Sequence, residues 1–369
     1  MTSKTYCPLA FSELYNDSNG NYALCCHSDP SPHSVDDMNP FDFWKSDYME
    51  EVRNKTFVSA NIPECHRCHH DNWSFRDQAL ALKGYVGEEA PLTIKLRING
   101  SYCNLACFAC HPLNSSTRRN EMRAIWGKDY TKMFERNFIM GAHGIKSSRW
   151  QEILADIIEN IHLVDTINMT GGEPMLLESH WDLVNAISED DAKQINLEYD
   201  TNLTHLEYKD NRACDLREKF KHVTYKISCD HFGEKLAWMR YPIDVEEFES
   251  NIRLANPHAM WLNVTVSLLN IKDLHEIREY YKRMFDIDTY WPNVVNRPQF
   301  LSIRNLSDAD KAWCVEQYGG DNVFTSELNK ETYSNWREDA TAYLDSLSLH
   351  RRSTHSHNSV GRFNPIEIL

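Results

Sequence analysis

The chain has 369 residues, 41% hydrophobic and 25% charged, an ordinary soluble balance in a chain longer than one average domain. Its formal net charge of −15, from 54 acidic against 39 basic residues, disfavours nucleic acid as a partner, because a phosphate-backbone binder carries a basic face. No run of 18 apolar residues occurs, and polar residues stand where a signal peptide needs an apolar core, so a cytoplasmic protein with no membrane partner is expected.

Eleven cysteines in a cytosolic chain stay reduced and point to metal. Eight of the eleven fall before residue 111, in tight groups. Cys214, Cys229 and Cys314 stand alone and read as small buried hydrophobes.

Residues 1–90 are rich in Asn, Asp, Ser, Pro and His, and the stretch SDPSPHSVDDMNP (28–40) reads as a loop. Such a segment lacks the apolar periodicity for a large core and is expected to need a metal staple. From residue 91 strand-like and helix-like segments alternate. LTIKLRI (92–98) reads as a buried strand and TRRNEMRAIW as a helix, followed by the amphipathic segment 149–164. Strands are predicted at 164–170, 195–201, 223–229, 261–269 and, last, at QFLSIRN (299–305), with helices between them. Six such units predict an α/β fold with a parallel sheet closed into a partial (β/α)6 barrel. The division expected is 1–90 as a cysteine-rich module, 91–306 as the barrel and 307–369 as a helical extension and tail.

The first predicted barrel strand runs into NGSYCNLACFACHP, where Cys103, Cys107 and Cys110 are spaced by three and then two residues. Three thiolates on one loop suit three corners of an iron–sulfur cubane, leaving a fourth iron open for a ligand. Zinc with His111 as fourth ligand is the alternative, although the Cys110–His111 adjacency makes its tetrahedral geometry awkward. TGGEP (170–174) ends the second strand; Gly171 and Gly172 permit close backbone approach and Glu173–Pro174 stiffens the turn. Taken alone, this segment reads as a strand-to-helix turn.

CNLACFAC together with TGGEP, in this order and at these strands, resembles the radical S-adenosylmethionine superfamily over roughly residues 92–306. The resemblance implies a [4Fe-4S] cluster on Cys103, Cys107 and Cys110, and S-adenosyl-L-methionine with its amino group at Gly171, Gly172, Glu173 and Pro174. It also implies an electron donor such as a flavodoxin or ferredoxin. Thr201–Asn202 resembles the family's ribose- and carboxylate-placing TN, and Ser228–Cys229–Asp230 the SxD of peptide-modifying members. Arg240 stands where a similar arginine reaches the methionine carboxylate, and Asn270 ends the fifth strand, where a cap fits equally well. Asp230 is the candidate catalytic carboxylate. Two positions depart from the family pattern: His231 follows SxD in place of glycine, and Ala109 precedes the third cysteine.

Ahead of the barrel, Cys7, Cys25 in a G-x4-C spacing from Gly20, and the knuckle Cys65–Cys68 make a tetrathiolate set, with Cys26 as the alternate for Cys25. Four thiolates suit zinc or an iron–sulfur cluster. The arrangement resembles the SPASM/twitch auxiliary modules, which usually follow the barrel, and implies an auxiliary iron–sulfur cluster and a peptide or protein side chain as substrate. A sugar or nucleotide substrate, and a non-catalytic zinc-binding interaction protein, are the competing readings.

Overall fold

A computed structural model of the chain describes residues 6–58, 61–66, 68, 75–87, 90–97, 101–128, 130, 147–319, 322–354 and 363–369. The chain divides into two compact units, one of Met1–Tyr102, Gly141–Asp200 and Glu207–Thr224, the other of Cys103–Met140, Thr201–Leu206 and Tyr225–Leu369. The fold is mixed α/β with parallel strands, as the alternating pattern predicts.

The first unit opens with strands β1 (Glu13–Asn16), β2 (Asn21–Ala23) and β3 (Pro30–Ser34), joined to one another antiparallel. Next come β4 (Leu92–Lys95), β5 (Val164–Met169) and β6 (Asn196–Thr201), which pair in parallel. Residue 98, the end of the first predicted barrel strand, lies outside the described residues. Strand β1 pairs parallel to β4, so the N-terminal segment extends the sheet. One lateral row is Leu14, Ile94, Ile167 and Leu197, each no more than 1% exposed. The next residues along, Tyr15, Lys95, Asn168 and Glu198, point to the opposite face, because strand side chains alternate. That face is polar: Asn168 donates to Glu198 at 3.2 Å, and Lys95 sits among Glu13, Cys26 and Asp200. A short hairpin, β7 (Glu207–Tyr208) with β8 (Asn211–Arg212), belongs to the same unit, followed there by the helical turns Ala213–Asp215 and Leu216–Lys219.

The segment predicted to be irregular is ordered by aromatic burial. Tyr6, Phe11, Tyr15, Tyr22, Phe41 and Phe43 are buried, and Tyr22 stacks on Phe43 with centroids 4.4 Å apart. Residues 30–34, expected as loop, form β3 instead. As an edge strand it tolerates proline: Pro30 and Pro32 point outward and Ser31 inward.

In the second unit the order is β9 (His222–Ser228, within the unit from Tyr225), β10 (Ala259–Val266) and β11 (Tyr290–Val294). The helix Leu274–Phe285 buries Leu274, Ile277 and Tyr281 at helical spacing, about 1.5–3 kcal/mol for each side chain removed from water. The last strand is β11, whereas 299–305 forms two 3-10 turns, Gln299–Leu301 and Ile303–Asn305. Phe300, Leu301, Ser302 and Ile303 are all buried in succession, which a strand with one wet face does not do, and Ser302 caps the second turn through Arg304 N. Pro292 masks the strand signal of YWPNV; its missing N–H is tolerated because β11 lies at the sheet edge. The long helix Trp336–Thr354 buries Ala340, Tyr343, Leu344, Leu347 and Arg351, a stripe with polar groups within it. It packs with Phe108, Met122 and Trp238. Among the described residues no helix is long and apolar enough to cross a membrane. Of the predicted polar tail, residues 355–359 lie outside the described residues.

Candidate metal centre

The loop Cys103–Cys110 is held by its own unit without help from its thiols. Ser115 caps the helix Ser116–Trp126 through Arg118 N and donates to Leu105 O at 2.6 Å. Thr117 Oγ1 donates to Cys103 O at 2.6 Å. Ala106 N and Phe108 N donate to Tyr241 O at 2.6 Å and Met239 O at 2.9 Å.

Two of the three sulfurs receive side-chain N–H groups. Asn202 Nδ2 lies 3.8 Å from Cys103 Sγ, and its carboxamide is fixed through Asn104 Oδ1 at 2.9 Å and Thr204 N at 3.0 Å. Thr201 Oγ1 accepts from Leu203 N at 2.9 Å, steadying a turn in which Leu203 has φ +54°. Arg240 Nη1 lies 3.7 Å from Cys107 Sγ. Its Nη2 donates to Asp230 Oδ1 at 2.9 Å, and the same oxygen accepts Thr265 N at 2.7 Å. Burial opposes the charge of Arg240, but Asp230 and Cys107 outweigh it and hold the guanidinium charged. Asn270 donates to Asp230 O at 2.9 Å and to Thr265 O at 3.0 Å, so it braces the turn that carries the carboxylate. Ser228 ends β9, partly buried.

The donor set fits an iron–sulfur centre: thiolates on a pinned loop, with N–H groups aimed at sulfur as such centres use. Burial raises the Cys107 thiol, and Arg240, Arg351 and Arg118 pull the other way. Arg240 Nε is buried without an acceptor among the described residues, which suits a ligand carboxylate beside Cys107. Among the described residues no three His, Cys, Asp or Glu groups are gathered as ligands of a single ion.

In the first unit, Gly171 and Gly172 have φ +85° and +61°. A Cβ on Gly172 would stand 2.1 Å from Tyr102 O, the residue before Cys103, and Glu173 N donates to that same carbonyl at 2.8 Å. Glu173 is 1% exposed and its carboxylate accepts from Met175 N at 3.3 Å, capping the turn that Pro174 starts. The Glu173 side chain is therefore a cap, and the segment's free contribution is backbone. Gly172→Ala is expected to cost about 1–3 kcal/mol through its positive φ. The clash with the Tyr102 carbonyl adds about 1–3 kcal/mol. Urea unfolding measures the loss, and a change under 1 kcal/mol would contradict this packing.

Cys7, Cys25, Cys65 and Cys68 line one pocket in the first unit, with Leu9, Leu24, Ile62 and Arg76. Burial pushes Cys7 up to about 11 and Cys65 up to about 12, each with other thiols of the set adding to the rise. Asp29 N donates to Glu64 O at 2.8 Å, tying the turn after Cys25 to the turn ending at Cys65. Gly20 has φ +86° in the turn between β1 and β2. Cys26 is exposed, whereas Cys25 is buried and faces the pocket.

Residues of the site that the sequence did not mark are Asn104, Thr204 and Thr265, ordinary polar types whose role depends on what the turns bring beside them.

No protein-family model and no curated protein matches this sequence. The chain is similar to the solved structure of native anSMEcpe with bound AdoMet, at 16% identity and a TM-score of 0.44, over 66% of this chain and 63% of that one. It is similar to Streptococcus suis SuiB bound to precursor peptide SuiA, at 15% identity and a TM-score of 0.42, over 92% of this chain and 63% of that one. A third likeness is to TYW1 with a lysine-pyruvate adduct bound, at 12% identity and a TM-score of 0.35, over 73% of this chain and 81% of that one. The chain thus spans less than two thirds of the length of the first two.

Proposed function

We propose that the chain is a radical S-adenosylmethionine enzyme, with Cys103, Cys107 and Cys110 holding a [4Fe-4S] cluster and with 91–306 as the catalytic barrel. When bound, such a cluster supplies the electron that reductively cleaves S-adenosylmethionine, and the 5′-deoxyadenosyl radical so formed abstracts hydrogen from the substrate. The observation that carries this reading is the pinned three-cysteine loop, two of whose sulfurs face Asn202 and Arg240, with the Arg240 Nε–H left for an anionic oxygen. Arg240 binds the methionine carboxylate, oriented by Asp230. Backbone groups of Gly171–Pro174 take the amino group, since the Glu173 carboxylate is already engaged. Thr201, Asn202 and Asn270 keep the turns of the site in place, and Ser228, at the end of β9, is assigned to S-adenosylmethionine binding with them.

The four thiols of the 1–90 module hold a second iron–sulfur cluster, which accepts the electron left when a substrate radical is oxidised. That second redox group favours a peptide or protein side chain as substrate, with a flavodoxin or ferredoxin supplying reducing electrons. The test is an anaerobic assay of the reconstituted enzyme with peptides encoded beside its gene, scored for a two-hydrogen mass loss or a new crosslink. Turnover of a sugar or nucleotide with every peptide unchanged overturns the substrate; absence of 5′-deoxyadenosine overturns the class. Asp230→Asn, which weakens its hold on Arg240, is expected to lower cleavage of S-adenosylmethionine and product formation together. Loss of product alone would make Asp230 act on the substrate.

A further inference from the structure

Beneath the cysteine loop lies a polar network that the motifs do not include. Arg118 and Glu121 come from the helix Ser116–Trp126, and Tyr343 and Arg351 from the helix Trp336–Thr354. Arg118, Tyr343 and Arg351 are 0% exposed and Glu121 is 6% exposed. Arg351 Nη2 donates to Ala106 O at 2.6 Å. Arg118 Nη2 and Tyr343 OH both donate to Phe108 O, at 3.0 and 2.6 Å. Glu121 bridges the two guanidiniums, accepting from Arg351 Nε at 2.7 Å and from Arg118 Nη1. Ala106 and Phe108 lie between Cys103 and Cys110, and Arg351 Nη1 donates in addition to Trp238 O.

The charge count is uneven. Two guanidiniums face one carboxylate, leaving one net positive charge among Met122, Trp238, Leu344 and Leu347. A buried charge without a counter-charge is costly, so this excess calls for an anion close by. The cysteine loop supplies one when its sulfurs are ionised as cluster ligands: Arg118 and Arg351 both act electrostatically on Cys107, and Cys110 acts on Arg118.

We infer that Arg118, Glu121, Tyr343 and Arg351 form a positively charged bracket that positions the Cys103–Cys110 loop and raises the electron affinity of the centre it carries. The inference rests on the cluster reading above. A fixed positive charge stabilises the more negative, reduced form of a nearby centre, and charge and hydrogen bonding are among the levers that set iron–sulfur potentials. These are positioning residues, since none touches S-adenosylmethionine or substrate in this assignment. The C-terminal helix is thereby part of the redox site.

The test is a charge series on the full reconstituted chain, following by electron paramagnetic resonance the signal that disappears when Cys103, Cys107 and Cys110 are replaced by Ala. At one fixed solution potential, Arg351→Met is expected to lower the reduced-to-oxidised ratio about tenfold, a shift of about 59 mV for one electron. Glu121→Gln, which adds a positive charge, is expected to raise the ratio about tenfold. Arg351→Lys and Tyr343→Phe keep the charge and are expected to stay within about twofold of the parent. A ratio unchanged in both Arg351→Met and Glu121→Gln, or moved the same way in both, overturns the inference. So does a tenfold fall in Arg351→Lys, because geometry would then be the cause. Where circular dichroism shows Arg351→Met unfolded, Glu121→Gln decides alone. A parent chain that assembles no such signal overturns the cluster reading itself, and the bracket's effect on electron affinity falls with it.

Discussion

Replacing Cys103, Cys107 and Cys110 by Ala is expected to abolish 5′-deoxyadenosine formation while the chain stays folded and keeps about one cluster's worth of iron. The loop's backbone is anchored by Ser115, Thr117, Tyr241 and Met239, none of which needs a thiol. Its carbonyls are also held by Arg118, Tyr343 and Arg351. Removing three sulfurs therefore takes away the ligands and leaves the fold. The retained iron is expected on Cys7, Cys25, Cys65 and Cys68, which line one pocket in the first unit. Chromatography of the dithionite-reduced reaction and iron analysis of the same sample measure both halves. Unchanged cleavage of S-adenosylmethionine sinks the assignment of the loop. Stoichiometric zinc without iron makes the N-terminal set structural, and its binding energy then acts as folding energy for residues 1–90.

Arg240→Leu is expected to destabilise the chain by about 3–5 kcal/mol, because it leaves the buried Asp230 carboxylate unpaired. The carboxylate would keep Thr265 N as its donor, which does not neutralise it. Adding Asp230→Asn to Arg240→Leu is expected to recover part of the loss, since the two side chains share one hydrogen-bonded pair. Urea unfolding of the parent, the two single variants and the double variant gives the coupling. Strictly additive losses would show that the pair is not the stabilising unit. In the same variants, affinity for S-adenosylmethionine should fall with Arg240→Leu, because the unpartnered Nε–H goes with it.

The sequence already carried the features that are local. The helix Leu274–Phe285 and the strands β4, β5, β6, β9 and β10 appear close to where periodicity puts them, since their burial patterns repeat within a few residues. The cysteine spacing and TGGEP are equally local, being turns whose residue types follow from their backbone. The last strand escaped because Pro292 interrupts YWPNV and the apolar run at 299–305 has the composition of a strand. Its identity depends on which segment finds a free edge on β10, which is a tertiary matter.

For the N-terminal segment, composition argued for loops, yet β1 to β3 form because β4 offers an open edge and six aromatic side chains supply a core. Of two adjacent cysteines, the spacing from Gly20 favours Cys25 with Cys26 as alternate, and in the fold Cys25 is buried in the pocket of the other three thiols while Cys26 is exposed. Arg351 lies 241 positions after Cys110, so no motif links them, and it reads in sequence as one more polar residue near a helix end. What the sequence by itself determined is therefore the chemistry of each segment: three thiolates on a loop, a glycine turn, alternating strands and helices. Only the tertiary structure decided which charges meet those sulfurs, because folding buries a guanidinium from a distant helix near a cysteine it never adjoins in the chain, where water screens the interaction less.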